Sequence, residues 1–166
     1  MIAPRKVKFA AKKKANENFR FRQFLKIHAD AETLDQQFLE LHRELFAEYD
    51  CARCRNCCKM YYGSIPEEDL ERDAQFLQMS REEFVNRYLN GISKEGEYST
   101  LHRPCDFLQK DGSCLLGENR PESCRNYPHT DQPDRLGSLY SILDFAEVCP
   151  VVYGMLERLK KIYDFH

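Results

Sequence analysis

From Phe24 onward, apolar residues recur every three or four positions, at Phe24, Ile27, Ala31, Leu34, Phe38, Leu41 and Leu45, with Glu32, Asp35, Glu40, Arg43 and Glu44 between them. That period puts the apolar set on one stripe of a helix and the charges on the opposite face. It predicts one long amphipathic helix ending near Tyr49, its stripe turned to a core. A second helical block starts at Ser64: Ser64 and Glu67 have capping-box spacing, Pro66 suits a first turn, and Leu70, Ala74 and Leu77 continue at helical spacing. Ser80 and Glu83 repeat the box and restart the helix with Phe84, Tyr88 and Leu89 inward, until Gly91 ends it, which predicts an antiparallel helix pair. Between Gly91 and Pro104 the periodicity fades into loop with a short strand. Asp111-Gly112, set between Phe107-Leu108 and Leu115-Leu116, predicts a hairpin turn. Asn119, Pro121 and Glu122 open a short helix that Pro128 stops, and Pro150 opens a closing helix to about residue 163 with Val152, Leu156, Leu159 and Ile162 inward.

The expected fold class is therefore mainly α: a single irregular helical domain with loops and a short hairpin, organised around a cysteine-ligated metal site. Its expected extent is residues 19–166, with a leading amphipathic helix over 19–50 and a cysteine-cluster region over 51–155. Residues 1–18 are expected to form a basic, flexible tail.

Composition supports one domain. The 166 residues are 42% apolar and 31% charged, enough to bury a core. Mean hydropathy is −0.67, and no stretch approaches the ~18 uninterrupted apolar residues of a bilayer-spanning helix. The N-terminal segment lacks the apolar run of a signal peptide, so the expected location is the cytoplasm. Six of the 25 bases and none of the 27 acids fall in the first fourteen residues, which leaves the other 152 at a balance of −8. The basic segment is a candidate contact for RNA, DNA or anionic lipid. No binding motif accompanies it, and a solvated, poorly ordered terminus is the favoured reading. An interaction with a protein partner is compatible with the sequence, which does not identify one.

Eight cysteines are too many for a reducing compartment to hold without a purpose. Cys51, Cys54, Cys57 and Cys58 lie within eight residues. Two residues between thiols is the spacing at which a tight turn directs sulfurs and backbone amides to one point, as zinc knuckles and iron–sulfur loops require. Cys105, Cys114, Cys124 and Cys149 are dispersed, each beside a turn or a helix end, and Cys149 immediately precedes Pro150, at the electropositive start of a helix. Arg53, Arg55 and Lys59 are placed to offset thiolate charge. Disulfides require an oxidising compartment, and neighbouring Cys57 and Cys58 are a poor pair with one another. Independent buried thiols account for Cys105 or Cys149 singly, but not for the run at 51–58. Metal ligation accounts for both. The C-x2-C-x2-C run is closer to a ferredoxin-type loop than to separated zinc knuckles, which slightly favours an iron–sulfur cluster over zinc. His129 is a lesser ligand candidate.

These residues resemble the CxxCxxCC, or YkgJ-like, cysteine-cluster family, to which zinc or iron chelation is ascribed. The resemblance runs through Cys51, Cys54, Cys57 and Cys58, then Pro104-Cys105-Asp-Phe107-Leu108, Gly112-Ser-Cys114, Arg120-Pro121-Glu-Ser-Cys124-Arg125-Asn-Tyr127-Pro128, and Cys149-Pro150. It departs at Leu116-Gly117, where the family usually has an aliphatic–tyrosine pair. It implies that all eight cysteines belong to the metal site or sites. Some members are labelled iron–sulfur oxidoreductases, and flagellin lysine methylases look like relatives. No nucleophile–base pair, phosphate loop, dinucleotide fingerprint or zincin motif accompanies the cysteines, and no substrate is named. Two functions follow: a metal-binding protein whose cysteines hold an iron–sulfur cluster or zinc, with an electron-transfer or redox role, or a structural zinc-binding interaction module without catalysis. Eight thiolates fill two four-ligand centres, which leaves no open position for Lewis-acid chemistry.

Overall fold

A computed structural model describes residues 1–93 and 95–166. The fold is mainly α, as the periodicity predicts. The chain divides into two compact units, one formed by Met1–Cys51 with Pro128–His166 and the other by Ala52–Tyr127.

The first unit is helical: α1 (Pro4–Lys13), α2 (Ala15–His28), α3 (Ala31–Phe46), α9 (Arg135–Ala146) and α10 (Pro150–Ile162). α10 packs against α1, α3 and α9, and α9 also packs against α1, α2 and α3. Their shared core contains Phe21, Leu25, Leu34, Phe38, Leu139, Ile142, Met155, Leu156 and Leu159. Each such side chain contributes roughly 2 kcal/mol when fully removed from water.

The predicted long helix from Phe24 is two helices. Ala29 is extended, and the Asp30 carboxylate accepts from Thr33 N and Thr33 Oγ1, each at 2.8 Å, so a capped start at Ala31 interrupts the stripe. Ile27 accordingly faces solvent. The basic N-terminal segment is also helical. Pro4 occupies its first turn, Val7 and Ala11 are buried, and Lys14 pairs with Glu157 of α10. α9 has no counterpart in the sequence reading. Asp134, in the left-handed region at φ 62°, caps it by accepting from Gly137 N, while Asp35 of α3 accepts from the backbone N–H groups of Asp134 and Arg135. A Cβ at Gly137 would stand 2.3 Å from the Asp134 carboxylate, which explains the glycine. The closing helix begins at Pro150 as predicted, with Cys149 at its N-cap.

The second unit holds α4 (Cys51–Cys54, its first residue belonging to the other unit), α5 (Asn56–Met60), β1 (Ser64–Pro66), α6 (Leu70–Phe76), α7 (Arg81–Tyr88), β2 (Leu89–Ile92), β3 (Glu97–Thr100) and α8 (Glu122–Asn126). The strands form an antiparallel sheet in the order β1-β3-β2, with Ile65 opposite Tyr98 and Leu89 opposite Thr100. Ser64 serves this sheet rather than a helix cap, donating to Glu97 across the β1–β3 pair, and Pro66 is tolerated because β1 is an edge strand. The second predicted capping box does form: Ser80 Oγ accepts from Glu83 N, and Glu83 Oε2 accepts from Ser80 N. α6 and α7 pack on one another. With β1, β2 and the 105–116 segment they enclose Ile65, Leu70, Ala74, Phe84, Leu89, Phe107 and Leu116; Cys105 and Cys114 pack against this cluster.

Candidate metal centre

The cysteine run bends twice. α4 carries Cys51 and Cys54, Arg55 follows in the left-handed region at φ 51°, and α5 then carries Cys57 and Cys58. Arg55 pays its local strain back through its own side chain, whose Nε donates to Ala52 O at 3.1 Å. Lys59 Nζ donates to Cys54 O. On α5 neighbouring residues diverge by about 100°, so Cys57 and Cys58 cannot face the same way.

Cys105 is tied to this turn by its backbone, its N–H donating to Cys58 O at 2.8 Å. The predicted hairpin follows. Leu115 N donates to Phe107 O, Gln109 N donates to Ser113 O, Leu108 bridges Cys114, and Gly112 makes the turn at φ 87°. α8 then carries Cys124, and Arg120 reaches from its N-terminal side to donate to Cys124 O.

These segments converge on one cavity of ≈ 30 Å³ whose lining includes Cys58, Cys105, Cys114, Cys124, Arg55 and Arg120. A Cβ at Gly63, another lining residue, would lie 3.0 Å from Cys105 Sγ and 3.0 Å from Thr100 Cγ2, so the absence of a side chain there lets the Cys105 sulfur take its place.

The four thiols differ in acidity. The hydrogen bond with Cys57, whose sulfur is 3.9 Å away, lowers the Cys58 thiol to about 6, together with the Arg120 and Arg55 charges and against the effect of burial. Burial raises Cys105 to about 11, reinforced by the negative charge of Cys58, Cys124 and Cys114 when those are ionised. Burial also raises Cys114 and Cys124, with Arg120 opposing it in both cases. Cys58 is thus the most readily ionised of the four, while burial favours the protonated form of Cys105, Cys114 and Cys124.

Of the eight predicted ligands, the structure gathers Cys58, Cys105, Cys114 and Cys124 around this cavity. Cys57 contacts Cys58 without lining it, and Cys54 is buried on α4. Cys51, exposed, and Cys149, buried at the start of α10, belong to the first unit. So does His129, whose carbonyl accepts from Arg135. No disulfide joins any of the eight. Among the described residues no group of three or more His, Cys, Asp or Glu side chains is arranged to hold a metal ion. The donor set itself fits a thiophilic metal: four soft ligands, the usual number for a tetrahedral ion, with two guanidiniums beside them.

The sequence reading placed Arg53, Arg55 and Lys59 near the thiolates. Only Arg55 of these lines the cavity. Arg120 and Gly63 were missed, although the Arg120-Pro121-x-x-Cys124 block carried a signal for the first.

A family model described as "CxxCxxCC: Putative zinc- or iron-chelating domain" matches residues 50–150, more than half of the chain. No curated protein and no solved structure matches it. Among the described residues no helix is long and apolar enough to cross a membrane.

Proposed function

This chain belongs to the CxxCxxCC cysteine-cluster family, and from that premise we propose that Cys58, Cys105, Cys114 and Cys124 hold one zinc ion in a closed, structural four-thiolate centre. The carrying observation is that four cysteines from three segments, α5, the 105–116 hairpin and α8, line one cavity. Four thiols on one cavity are the complete ligand set of a tetrahedral zinc ion. Four protein ligands leave no position for water or substrate, which favours a structural ion over a Lewis-acid catalyst. Four thiolates around a divalent cation form a dianion, and the guanidiniums of Arg55 and Arg120 offset that charge.

When bound, the ion supplies a cross-link among chain segments that regular structure joins poorly. Cys58 anchors it from α5, Cys105 and Cys114 fix the hairpin arm whose Phe107 and Leu116 pack in the core with Ile65, Leu70 and Phe84, and Cys124 secures α8. Binding free energy then becomes folding free energy for this unit. The proposal uses four of the eight cysteines that the family resemblance assigns to metal.

A second reading keeps the iron–sulfur cluster and an electron-transfer role, favoured by the Cys51, Cys54, Cys57 spacing. Anaerobic purification with metal analysis and an absorption spectrum separates the two. A colourless protein with about one zinc per chain is expected. A brown protein containing iron and acid-labile sulfide would replace zinc with a cluster, and a fully folded protein that takes up neither metal would remove both readings.

A further inference from the structure

α1 has two faces of different chemistry. Val7 and Ala11 are buried within its own unit, while Arg5, Lys6, Lys8, Lys12 and Lys13 are all exposed, and no acidic residue precedes Glu17. At 3.6 residues per turn, Phe9 falls near the middle of the exposed arc, opposite the Val7–Ala11 edge. It is 66% exposed, and the Lys13 ammonium lies 4.6 Å from its ring centroid. A large apolar side chain held outward at the centre of five cations adds nothing to the core of the chain. Lys14, by contrast, is turned inward to Glu157 and takes no part in this face.

We infer that the exposed face of α1 docks on anionic lipid bilayers, with Arg5, Lys6, Lys8, Lys12 and Lys13 on lipid headgroups and Phe9 entering the headgroup–acyl boundary. The charge calls for a polyanion, and three features favour a bilayer over a nucleic acid. Four of the five cations are lysines, compact point charges suited to a diffuse anionic surface, rather than the planar forks that read bases and grip phosphates. Lys13 covers one face of Phe9, the face a base would stack on. A bilayer interface accepts a ring beside an ammonium, the ring at the acyl boundary and the charge among headgroups. One aromatic and five cations make this a reversible, salt-sensitive attachment.

The test uses the full chain and vesicles of phosphatidylcholine with or without about 30% phosphatidylserine. Flotation with the anionic vesicles alone, lost in high salt, is expected. Each cation near an anionic surface is worth about fivefold in affinity, so Lys12→Ala with Lys13→Ala should weaken binding about twenty-five-fold. Lys110→Ala, an exposed change in the other unit, should leave it unaltered. The chain contains no tryptophan, so Phe9→Trp provides a single emission probe that should move to shorter wavelength only with the anionic vesicles. Circular dichroism of each variant should match the parent, because none of these side chains is buried. Equal flotation with neutral vesicles, no flotation with either, or an unmoved Trp emission would overturn the inference. Retention of a single-stranded oligonucleotide without vesicle binding would overturn it in favour of a nucleic-acid surface.

Discussion

The sulfur of Cys57 lies 3.9 Å from that of Cys58, yet only Cys58 faces the cavity lined by Cys105, Cys114 and Cys124. Adjacent cysteines are thus placed differently: Cys58 is a ligand candidate, and its hydrogen bond with Cys57 lowers the Cys58 thiol.

That division predicts unequal variants. Cys58→Ser should lose nearly all bound metal and lower the unfolding midpoint to that of chelator-treated parent protein, because ion binding and folding of this unit are linked. Cys57→Ser should keep about one metal per chain, since a hydroxyl there can still donate to Cys58. Metal analysis and thermal unfolding check both; equal losses would place Cys57 among the ligands.

Proton release gives an independent count. Near pH 8 Cys58, lowered to about 6, is already ionised, whereas Cys105, raised to about 11, and the raised Cys114 and Cys124 must each lose a proton to bind. Zinc uptake at pH 8 should therefore release about three protons per ion, rising towards four below pH 6. Calorimetry in buffers of differing ionisation enthalpy measures the number, and four at pH 8 would show that Cys58 is not a preformed thiolate. The same directions shape the stability of the metal-free protein. The Cys58 contribution is present above the unfolded thiol value near 9 and is lost as pH falls towards 6. That of Cys105 is present below 9 and is lost as pH rises towards 11.

Gly63→Ala should disturb the centre without removing a ligand. The added Cβ would meet Cys105 Sγ and Thr100 Cγ2, each at 3.0 Å, and Thr100 Oγ1 already accepts from Gly63 N in the buried interior. A cost of about 1–3 kcal/mol in stability is expected, with at least tenfold weaker zinc affinity in competition with a chromophoric chelator. Unchanged affinity would mean that Cys105 has room to move.

In the first unit, two basic residues of α10 should behave oppositely. Lys160, 5% exposed, donates to Glu17 Oε1, Asn18 Oδ1 and Glu157 Oε1 at 2.6, 2.6 and 2.8 Å, so Lys160→Ala leaves the buried Asn18 amide oxygen and two partly exposed carboxylates without this donor and should cost about 1–3 kcal/mol. Arg158 pairs with Glu44 at 2.8 Å where both side chains are about half exposed, and Arg158→Ala should cost less than about 1 kcal/mol. Urea unfolding of the two variants makes the comparison.

The legible parts of this protein are those governed by nearest neighbours along the chain. The spacing of Ser80 and Glu83 sufficed for a capping box, Asp111-Gly112 for a turn, and Pro150 for a helix start, because each is closed by contacts within a few residues. The cysteine spacing was legible as that of a chelating family, and a model of such a family matches residues 50–150. Other features required partners distant in sequence. Ser64 could cap a helix or pair across a sheet, and Glu97, thirty-three residues away, decided it. Asp35 of α3 receives the first backbone N–H groups of α9, a helix whose uneven apolar pattern hides its start. Composition alone marked residues 4–13 as a basic segment; the burial of Val7 and Ala11 makes it a helix with an outward Phe9. Sequence order determined which residues carry thiols and how they are spaced. Only tertiary structure decided which sulfurs share a cavity, because side-chain direction depends on the left-handed turn at Arg55, the Cys105–Cys58 backbone bond and the space left by Gly63.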